Sequence, residues 1–486
     1  MKTFISGWVF ALGTVRAAVG APEVLAQDMP EVLAQEMDVQ AGEDPRLAEP
    51  EIRPLAIDFS TDPVLALAES TADADTFRRI VVAALADSPV DREAAALERA
   101  ARAQVGEARG GYLPAIDVGV SAFKTLERNF SNDPFNLIER SRPRERIDFT
   151  FSVAQQLVDF GRVDGRVESA AARLRAAGFE REARAGGVAG DVIAAWTQVY
   201  GFQALERLLE SFVASQDGLA RGVETRIERG VSAEGDRVRV ASVRSQAEVQ
   251  LAQVRRQLAN AEARFEELSG FAPPERLLRP PMLEATRFTR EYVVFAAESA
   301  PEVLGAEAIA AAREQEARSA EAEKFPVLSA RVDHGRYGIF EPGRDDFDTR
   351  ATANLNWRIL GGGVWSRARA ADAQADAAAA VADRIREEAR RDASIAWSDV
   401  RALEDQVEAL ERAYKAARQS RDIVVARFGA LRGNLFDVAS AQNAYLDSAS
   451  AYIRALTELD QARYILLLRT GRLLDILQIE EEEVPL

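Results

Sequence analysis

The stretch DVIAAWTQV, residues 191–199, decides the fold, because the chain repeats it as DASIAWSDV at residues 392–400. Asp392 follows Asp191 by 201 residues, and Trp397 follows Trp196 by the same number. Two tryptophans in the same helical setting at one fixed offset indicate that a supersecondary unit occurs twice in the chain.

The repeat extends well beyond the tryptophans. Further pairs separated by 201 residues are Arg226 and Arg427, Asp236 and Asp437, and Gly270 and Gly471. Upstream, Pro301 follows Pro89 by 212 residues, so the first copy holds about ten additional residues between these regions. Two copies of one plan, with an insertion in the first, are therefore predicted.

Changes in composition divide the chain into six segments. The predicted segments are a signal peptide (1–26), an extended or disordered N-terminal leader (27–75), a first repeat (76–272), a proline-rich linker (273–290), a second repeat (291–474) and an acidic C-terminal tail (475–486). The signal peptide is inferred from a charged start, an apolar run and small residues, with cleavage after Ala21 or Ala26.

Composition and charge exclude several classes of function. The formal net charge is -17, whereas binding of nucleic acid requires basic patches. The chain has no cysteine and a single histidine, His334, so neither a metal site nor another cofactor is expected. Because the sequence contains no nucleophile elbow and no phosphate-binding loop, we predict that the protein is not an enzyme.

Each copy contains two segments in which apolar and polar residues alternate, the pattern of half-exposed strands. The alternating apolar residues of the first copy are Ile116, Val118 and Val120, then Ile147, Phe149, Phe151 and Val153. Those of the second copy are Leu328, Ala330 and Val332, then Ala351, Ala353, Leu355 and Trp357. The sequence therefore predicts one strand hairpin per copy.

The rest of each copy is predicted to be helical. Residues 163–228 and 364–428 contain no proline, and at 1.5 Å per residue such a helix reaches about 100 Å. The returning helices, residues 234–269 and 434–470, are little more than half as long. A long helix flanked by two shorter helices stacked end to end would form a two-layer rod of uniform length.

Strands of about ten residues match the ~25 Å apolar band of an outer-membrane barrel, but four strands cannot close one. Three chains related by cyclic symmetry supply twelve strands and leave no open edge. We therefore predict a mixed fold: a homotrimer whose twelve-stranded membrane β-barrel, four strands from each chain, continues into a long α-helical barrel. Outer-membrane lipid would surround the strands.

Four short motifs support a family assignment: ALADSP ending at Pro89, YLP ending at Pro114, QLVDFGR ending at Arg162 and RGVSAEGD ending at Asp236. Their order and the duplicated plan resemble the TolC family of outer-membrane efflux and secretion channels over about residues 76–471. The resemblance implies a homotrimer with a periplasmic helical tunnel. It also implies docking onto a periplasmic adaptor (membrane fusion) protein and an inner-membrane ABC or proton-driven transporter.

The resemblance places the candidate site at the two turns between long and returning helices, which form the periplasmic tip in that family. The adaptor-docking residues would be Gly230, Val231 and Ser232 in the first turn and Leu431 and Gly433 in the second. The gate would comprise Arg432, paired with an acidic neighbour, and Asp236 and Asp437, whose carboxylates would attract cations. Helix capping is an equally weighted alternative for the two aspartates. Gly433 lies four residues before its aspartate, against six for Gly230, so its docking contacts depart from the family pattern.

Three further interpretations follow from the sequence. Trp196 and Trp397 are packing residues about halfway along the long helices. The alternative function is a structural periplasmic coiled-coil scaffold without a channel, which accounts for the helices but not for the alternating segments. Type I protein secretion and multidrug efflux use the same kind of exit duct, and general resemblance slightly favours secretion.

Overall fold

The computed structural model describes residues 46–51, 53–129, 135, 137–282, 288–340, 345–430 and 432–479. The helices are α1 (Ala74–Asp87), α2 (Pro89–Gly110), α3 (Leu137–Ser141), α4 (Arg162–Glu228), α5 (Glu234–Ser269), α6 (Arg290–Ala297), α7 (Pro301–Ala322), α8 (Val364–Gly429), α9 (Leu435–Arg469) and α10 (Leu473–Ile476). The strands are β1 (Ala115–Lys124), β2 (Glu145–Val158), β3 (Val327–Tyr337) and β4 (Asp346–Asn356). The predicted signal peptide lies outside the described residues, as do residues 27–45 of the leader and residues 480–486 of the tail.

The two long helices α4 and α8 contain 67 and 66 residues, close to the lengths expected from the sequence. Each begins directly after a glycine in the left-handed region, Gly161 with φ 89° and Gly363 with φ 68°. A side chain is strained in this conformation, so glycine lets the chain turn sharply from strand into helix.

Shorter helices stack end to end beside the long helices, as predicted. The first part of α4 packs against α2 and α7, and its second part packs against α5 and α9. Ion pairs join both parts of α4 to their neighbours: Arg181 lies 3.4 Å from Asp91 of α2, and Glu206 lies 2.8 Å from Arg255 of α5. Helix α8 packs against α7 and α9 in the same manner.

The four strands form one antiparallel sheet in the order β1-β2-β3-β4. The β1–β2 and β3–β4 hairpins are those expected from the alternating segments, and β2–β3 pairing joins the two copies. The β2–β3 register shifts between Gln156 and Val158, where β2 approaches α4. Helices precede β1 and β3 and follow β2 and β4, so all four connections to helices lie at one end of the sheet. The loops that close the two hairpins therefore lie at the opposite end.

The described part of the leader, residues 46–51 and 53–73, packs along the middle of the long helices and is called the strap here. The Leu47 N–H donates to the Ser211 hydroxyl of α4 (3.0 Å), and Arg421 of α8 donates to the Ala48 carbonyl (2.8 Å). Val64 is 0% exposed and belongs to the main apolar core. Over these residues the chain is held in place by contacts with α4 and α8.

A buried carboxylate fixes the strap to α8. Asp62 is 1% exposed and accepts hydrogen bonds from the Tyr414 hydroxyl at 2.8 and 2.9 Å. It also forms an ion pair with Arg418 and accepts the backbone N–H groups of Val64 (2.9 Å) and Leu65 (3.1 Å). A buried carboxylate with this many hydrogen-bond donors holds the surrounding elements together.

A second buried ion pair links the segment after α5 to α9. The guanidinium of Arg279 donates to both carboxylate oxygens of Asp460 at 2.6 Å. Its third bond reaches the Ala68 carbonyl of the strap, also at 2.6 Å. Because the side chains are only 2% and 4% exposed, neither charge has water as an alternative partner.

The repeated tryptophans are packing residues, as interpreted from the sequence. Trp196 is 1% exposed and lies against the rings of Phe77 (5.0 Å) and Phe265 (6.1 Å). Its indole N–H donates to the Leu278 carbonyl at 2.9 Å, while that of half-buried Trp397 donates to the Phe288 carbonyl at 2.9 Å. Both tryptophans therefore bind the segment that connects the two copies.

The end of the chain that follows α9 also packs into this central region. Leu477 is 4% exposed and Ile479 is 8% exposed, and Arg78 of α1 donates to the Gln478 carbonyl at 2.7 Å. Residues 475–479, predicted as the start of an acidic tail, thus belong to the packed body.

Candidate functional site

The first turn, between α4 and α5, is closed by a left-handed glycine. Gly230 has φ 72° and donates its N–H to the Ile227 carbonyl at 2.8 Å. The Val231 N–H reaches back to the Arg226 carbonyl at 2.9 Å, which satisfies a carbonyl at the end of α4. Val231 itself is 48% exposed, so an apolar side chain projects from the turn.

The second turn, between α8 and α9, uses its glycine differently. The Arg432 N–H donates to the Arg427 carbonyl at 2.9 Å, and Gly433 follows with φ 111°. The next residue, Asn434, caps α9 by accepting the Asp437 N–H at 2.9 Å. The different glycine spacing thus reflects a glycine before the cap of α9 rather than one that ends α8. Leu431 lies outside the described residues.

The predicted gate residues occupy three different settings. Asp236 accepts the Ala233 N–H at 3.3 Å in the first turn of α5, which is the capping arrangement considered for it. Asp437 lies in the first turn of α9 with an exposed side chain. Arg432 is exposed, and among the described residues of its own chain it has no ion-pair partner. Pairing of Arg432 with a neighbouring copy stays a prediction.

Arg226 is the residue at the turns that sequence reasoning missed. It is 8% exposed; its Nη1 donates to the Phe428 carbonyl at 2.9 Å, and its guanidinium lies 4.2 Å from the centre of the Phe428 ring. Its Nε donates to the Ser232 hydroxyl at 3.2 Å. Arg226 therefore fastens the first turn to the end of α8. The available signal was its recurrence as Arg427, but Arg427 is exposed, so the contact is not duplicated.

Beneath the turns, a small apolar cluster joins the two helical hairpins. Its buried members are Val223, Val240, Phe428, Leu435 and Val438. Outside it, Arg237 and Glu224 form an exposed ion pair at 2.7 Å, and the hydrogen bond from Arg237 lowers the pKa of Glu224. The core of this end is much smaller than the central core, so the hairpin ends are the weaker part of the helical body.

The sheet has one apolar and one polar face, because residues directly opposite each other share a face. The apolar face carries Ile116, Val118, Val120, Ile147, Phe149, Phe151, Val153, Val332, Phe347, Ala351 and Leu355. The polar face carries Asp117, Ser121, Arg146, Asp148, Thr150, Ser152, Arg331, Asp333, Asp346, Asp348, Arg350 and Thr352. One face of the sheet therefore suits apolar surroundings, and the other suits water.

Aromatic side chains surround the junction of sheet and helices. Phe160 and Phe325 stack at 5.2 Å, and the Trp357 indole N–H donates to the Lys324 carbonyl at 3.1 Å. Nearby, the Tyr112 hydroxyl donates to Asp164 at 2.7 Å. This hydrogen bond raises the pKa of Tyr112 to about 12. Exposed aromatic residues of this kind are typical of a boundary between apolar and aqueous surroundings.

The single histidine lies on the sheet and not in a cluster of ligands. His334 Nδ1 is 2.8 Å from the Thr349 hydroxyl. Within the described ranges, no group of three or more potential metal-binding side chains occurs.

Comparison with known proteins identifies the family to which the chain belongs. The model of the outer membrane efflux protein family matches residues 80–270 and 294–472. The chain belongs to the outer membrane efflux protein family. The two matched segments correspond to the two copies recognised from the repeated tryptophan stretch. No curated protein matches the chain by sequence.

Solved structures of family channels share the fold. The outer-membrane channel OprN has a TM-score of 0.72 and 22% identity, covering 89% of this chain and 99% of its own. The outer membrane protein VceC from Vibrio cholerae has a TM-score of 0.72 and 16% identity, covering 82% and 98%. The CmeC outer membrane channel of Campylobacter jejuni has a TM-score of 0.72 and 14% identity, covering 91% and 98%.

Members of the efflux family are outer-membrane channels and not enzymes. The protein is therefore an outer-membrane efflux channel protein whose long helices lie in the periplasm. The predicted TolC-like fold, with a four-stranded antiparallel sheet and long helical hairpins in each chain, is confirmed. In the described part of the chain, no helix is sufficiently long and apolar to cross a membrane.

Proposed function

We propose that three copies of this chain close their sheets into one twelve-stranded barrel and form the exit duct of a tripartite export system. The observation that carries the proposal is a sheet with one apolar face, one polar face and two unpaired edge strands. In the single chain, Ile116, Val118 and Val120 of the apolar face are 61%, 63% and 68% exposed. Lipid would cover this face, and the polar face would line a water-filled lumen.

The edges support closure by identical copies. Strands β1 and β4 contain 10 and 11 residues and run in opposite directions, so β4 of one copy can pair with β1 of the next. Such pairing removes every open edge from the ring, and three copies suffice for a barrel of known size.

The two turns are the proposed docking surface for a periplasmic adaptor, which in turn would connect the duct to an inner-membrane ABC or proton-driven transporter. Gly230, Val231 and Ser232 form one contact region, and Leu431 and Gly433 belong to the other. Exposed Val231 supplies an apolar contact at the end of the molecule, which supports docking of a partner there.

The same turns are the proposed gate. Asp236 and Asp437 would form a ring of carboxylates in the trimer, and such a ring attracts cations and repels anions. Arg432 would hold neighbouring copies together through an acidic partner. Within a chain, Arg226 fastens the two hairpins through the Phe428 carbonyl and ring, so widening of the aperture would break this contact first.

Conductance across planar bilayers tests the channel and its selectivity. Purified native protein is expected to conduct with cation preference, which the Asp236→Ala/Asp437→Ala variant weakens. The Asp236→Asn/Asp437→Asn variant separates charge from capping, because an asparagine amide oxygen can still accept the Ala233 N–H while both charges are removed. The matched control is Asp191→Asn/Asp392→Asn, a repeat-related pair in the middle of the long helices. Full cation preference in the first asparagine variant would refute the assigned gate role.

The Arg226→Gln variant tests the fastening of the hairpins. We expect a higher resting conductance, because the glutamine side chain is shorter and cannot stack on the Phe428 ring as a cation. Arg427→Gln, which alters the repeat-related exposed arginine, is the control and should leave conductance unchanged. Equal behaviour of the two variants would contradict a restraining role for Arg226.

Partners and cargo require a direct experiment. Crosslinking from cysteine placed at Val231, followed by identification of the captured proteins, should recover an adaptor and indicate whether its pump exports polypeptides or small molecules. Protein secretion and small-molecule efflux both fit the duct. A coiled-coil scaffold without a channel would instead yield a fully soluble protein, and the family membership and the two-faced sheet disfavour it.

A further inference from the structure

We propose that unpaired charges along the two edges of the helical layer pair between neighbouring copies and thereby select copies of this same chain as assembly partners. The inference rests on the proposed trimer and adds the residues by which its chains would recognise each other. Helices α2 and α5 lie at one edge of the layer, beside α4, and α8 forms the other edge, beside α7 and α9. In a closed ring, α8 of one copy therefore meets α2 and α5 of the next.

The internal repeat supplies the register of this contact between chains. In the repeat, α8 corresponds to α4, α7 corresponds to α2, and α9 corresponds to α5. Within one chain, α4 packs on α7 and α9. That packing is consequently a template for the packing of α8 on α2 and α5 of the next copy, because repeated units in a closed ring occupy equivalent positions.

The template is closely packed where α4 meets α9. A Cβ at Gly201 would lie 2.9 Å from the hydroxyl oxygen of Thr457, so these two residues face each other directly. A shift by the repeat offset of 201 residues converts Gly201 into Ala402 and Thr457 into Arg256. Arg256 of one copy therefore lies opposite Ala402 of its neighbour.

Arg256 would meet two carboxylates at this point. Asp399 and Asp405 lie three residues before and after Ala402, and residues three apart are neighbours on a helix surface. Arg256 and both aspartates are exposed, and over the part of the chain that the structure describes none of them has an ion-pair partner. An uncharged contact within the chain thus corresponds to a contact of opposite charges between chains.

A second match lies nearer the sheet. The contacts of α4 with α7, shifted by the repeat offsets of 201 and 212 residues, place residues 93–104 of α2 beside residues 370–380 of α8. Arg99 belongs to the first segment, and Asp372 and Asp376 belong to the second. All three are exposed and lack an ion-pair partner among the residues described for their own chain.

At both heights the basic group lies on the edge formed by α2 and α5, and the acidic groups lie on α8. One copy therefore presents to the next an edge of opposite charge. Exposed ion pairs add little affinity, but complementary charges across a contact determine which partners associate. The partner that fits each edge is a second copy of this chain.

The experiment reverses charges at Arg256 and counts subunits by native mass spectrometry in neutral detergent. An exposed ion pair contributes roughly twofold in affinity and a like-charge pair costs about as much, so Arg256→Glu should weaken each contact about fourfold. The trimer should then dissociate at a higher protein concentration than the native trimer. Adding Asp399→Arg/Asp405→Arg to the same chain should restore the native behaviour, because opposite charges face each other again.

The matched control is Arg175→Glu. Arg175 is also exposed and unpaired within the described residues, but α4 has helices of its own chain on both sides. An unchanged trimer in Arg256→Glu would overturn the inference, as would an equal loss in the control or no recovery in the triple variant. Absence of a trimer in native protein contradicts the proposed function, whereas a native trimer that is insensitive to these reversals contradicts only the charge pairing.

Co-expression of the native chain with the triple variant tests partner selection directly. Each chain matches itself, but a native chain beside a variant chain brings like charges together at Arg256 and at the two aspartate positions. Trimers of a single kind of chain should therefore predominate in the mass spectrum. Random mixing of the two chains would overturn the proposed selection.

Discussion

Replacing Asp460 by alanine should destabilise the protein strongly, because it leaves the Arg279 guanidinium buried without its carboxylate. Arg279 would keep only the Ala68 carbonyl as a partner. The two side chains are 2% and 4% exposed, and removing one partner of an ion pair buried to this extent lowers the free energy of unfolding by about 3–5 kcal/mol.

The companion variant Arg279→Met/Asp460→Leu removes both charges and keeps apolar volume. Paired replacement of buried ions is often close to neutral, apart from the Ala68 carbonyl that loses its donor at a cost of about 1–2 kcal/mol. The double variant should therefore be more stable than Asp460→Ala alone. This inversion, in which two substitutions harm less than one, is the specific signature of a buried pair.

Thermal unfolding of the purified protein, followed by helical circular dichroism at one scan rate, measures the difference. For a chain of this size the unfolding entropy is roughly 1 kcal/mol per kelvin, so Asp460→Ala should lower the midpoint by about 3–5 °C and the double variant by about 1–2 °C. An unchanged midpoint for Asp460→Ala, or a double variant less stable than the single one, would refute the reasoning.

Two further pairs of variants test the packing of the long helices. A Cβ at Gly165 would lie 2.8 Å from the Gln315 carbonyl oxygen, so Gly165→Ala should lower the free energy of unfolding by about 1–3 kcal/mol. Gly218 is exposed and a Cβ there would have nothing within 4 Å, so Gly218→Ala should raise the free energy of unfolding by about 0.5–1 kcal/mol. A lower midpoint for Gly218→Ala than for Gly165→Ala would contradict the close approach of α4 and α7. Trp196→Phe should lower the free energy of unfolding by about 1–3 kcal/mol, because the Leu278 carbonyl loses a buried donor. Trp397→Phe should lower it less, because water can reach the half-buried site at the Phe288 carbonyl. Equal unfolding midpoints for the two variants would count against this ranking.

The regular elements were predictable because their signals are local and periodic. Helix α5, Glu234–Ser269, has the boundaries expected from the sequence, and α4 differs from its expected start by one residue. The alternation of Val118 and Val120 with polar residues gave the strands, since a period of two has no other common cause.

The buried polar contacts were not predictable in the same way. Arg279, Asp460 and Asp62 have the same appearance in the sequence as the many exposed charged residues around them, because burial depends on partners far away along the chain. The strap was hidden for a related reason: its short turns have no sustained period, and side chains of α4 and α8 hold it in place.

The candidate site was predictable only in position. The repeat located both turns, but the contact of Arg226 with Phe428 joins residues 202 apart and breaks the symmetry of the two copies. A repeat predicts what the copies share, and the fastening of the hairpins is a difference between them.

The two unpaired edges of the sheet also have a consequence for genetics. In the proposed trimer, each junction is made by β4 of one chain and β1 of another, so every chain is required twice for closure. A variant chain with an intact β1 and a β4 that cannot pair would join a growing trimer but prevent closure of the barrel. The native chains in that assembly could then form no channel. Damage to one edge strand should therefore be dominant over a native copy of the gene, whereas loss of the whole chain should be recessive.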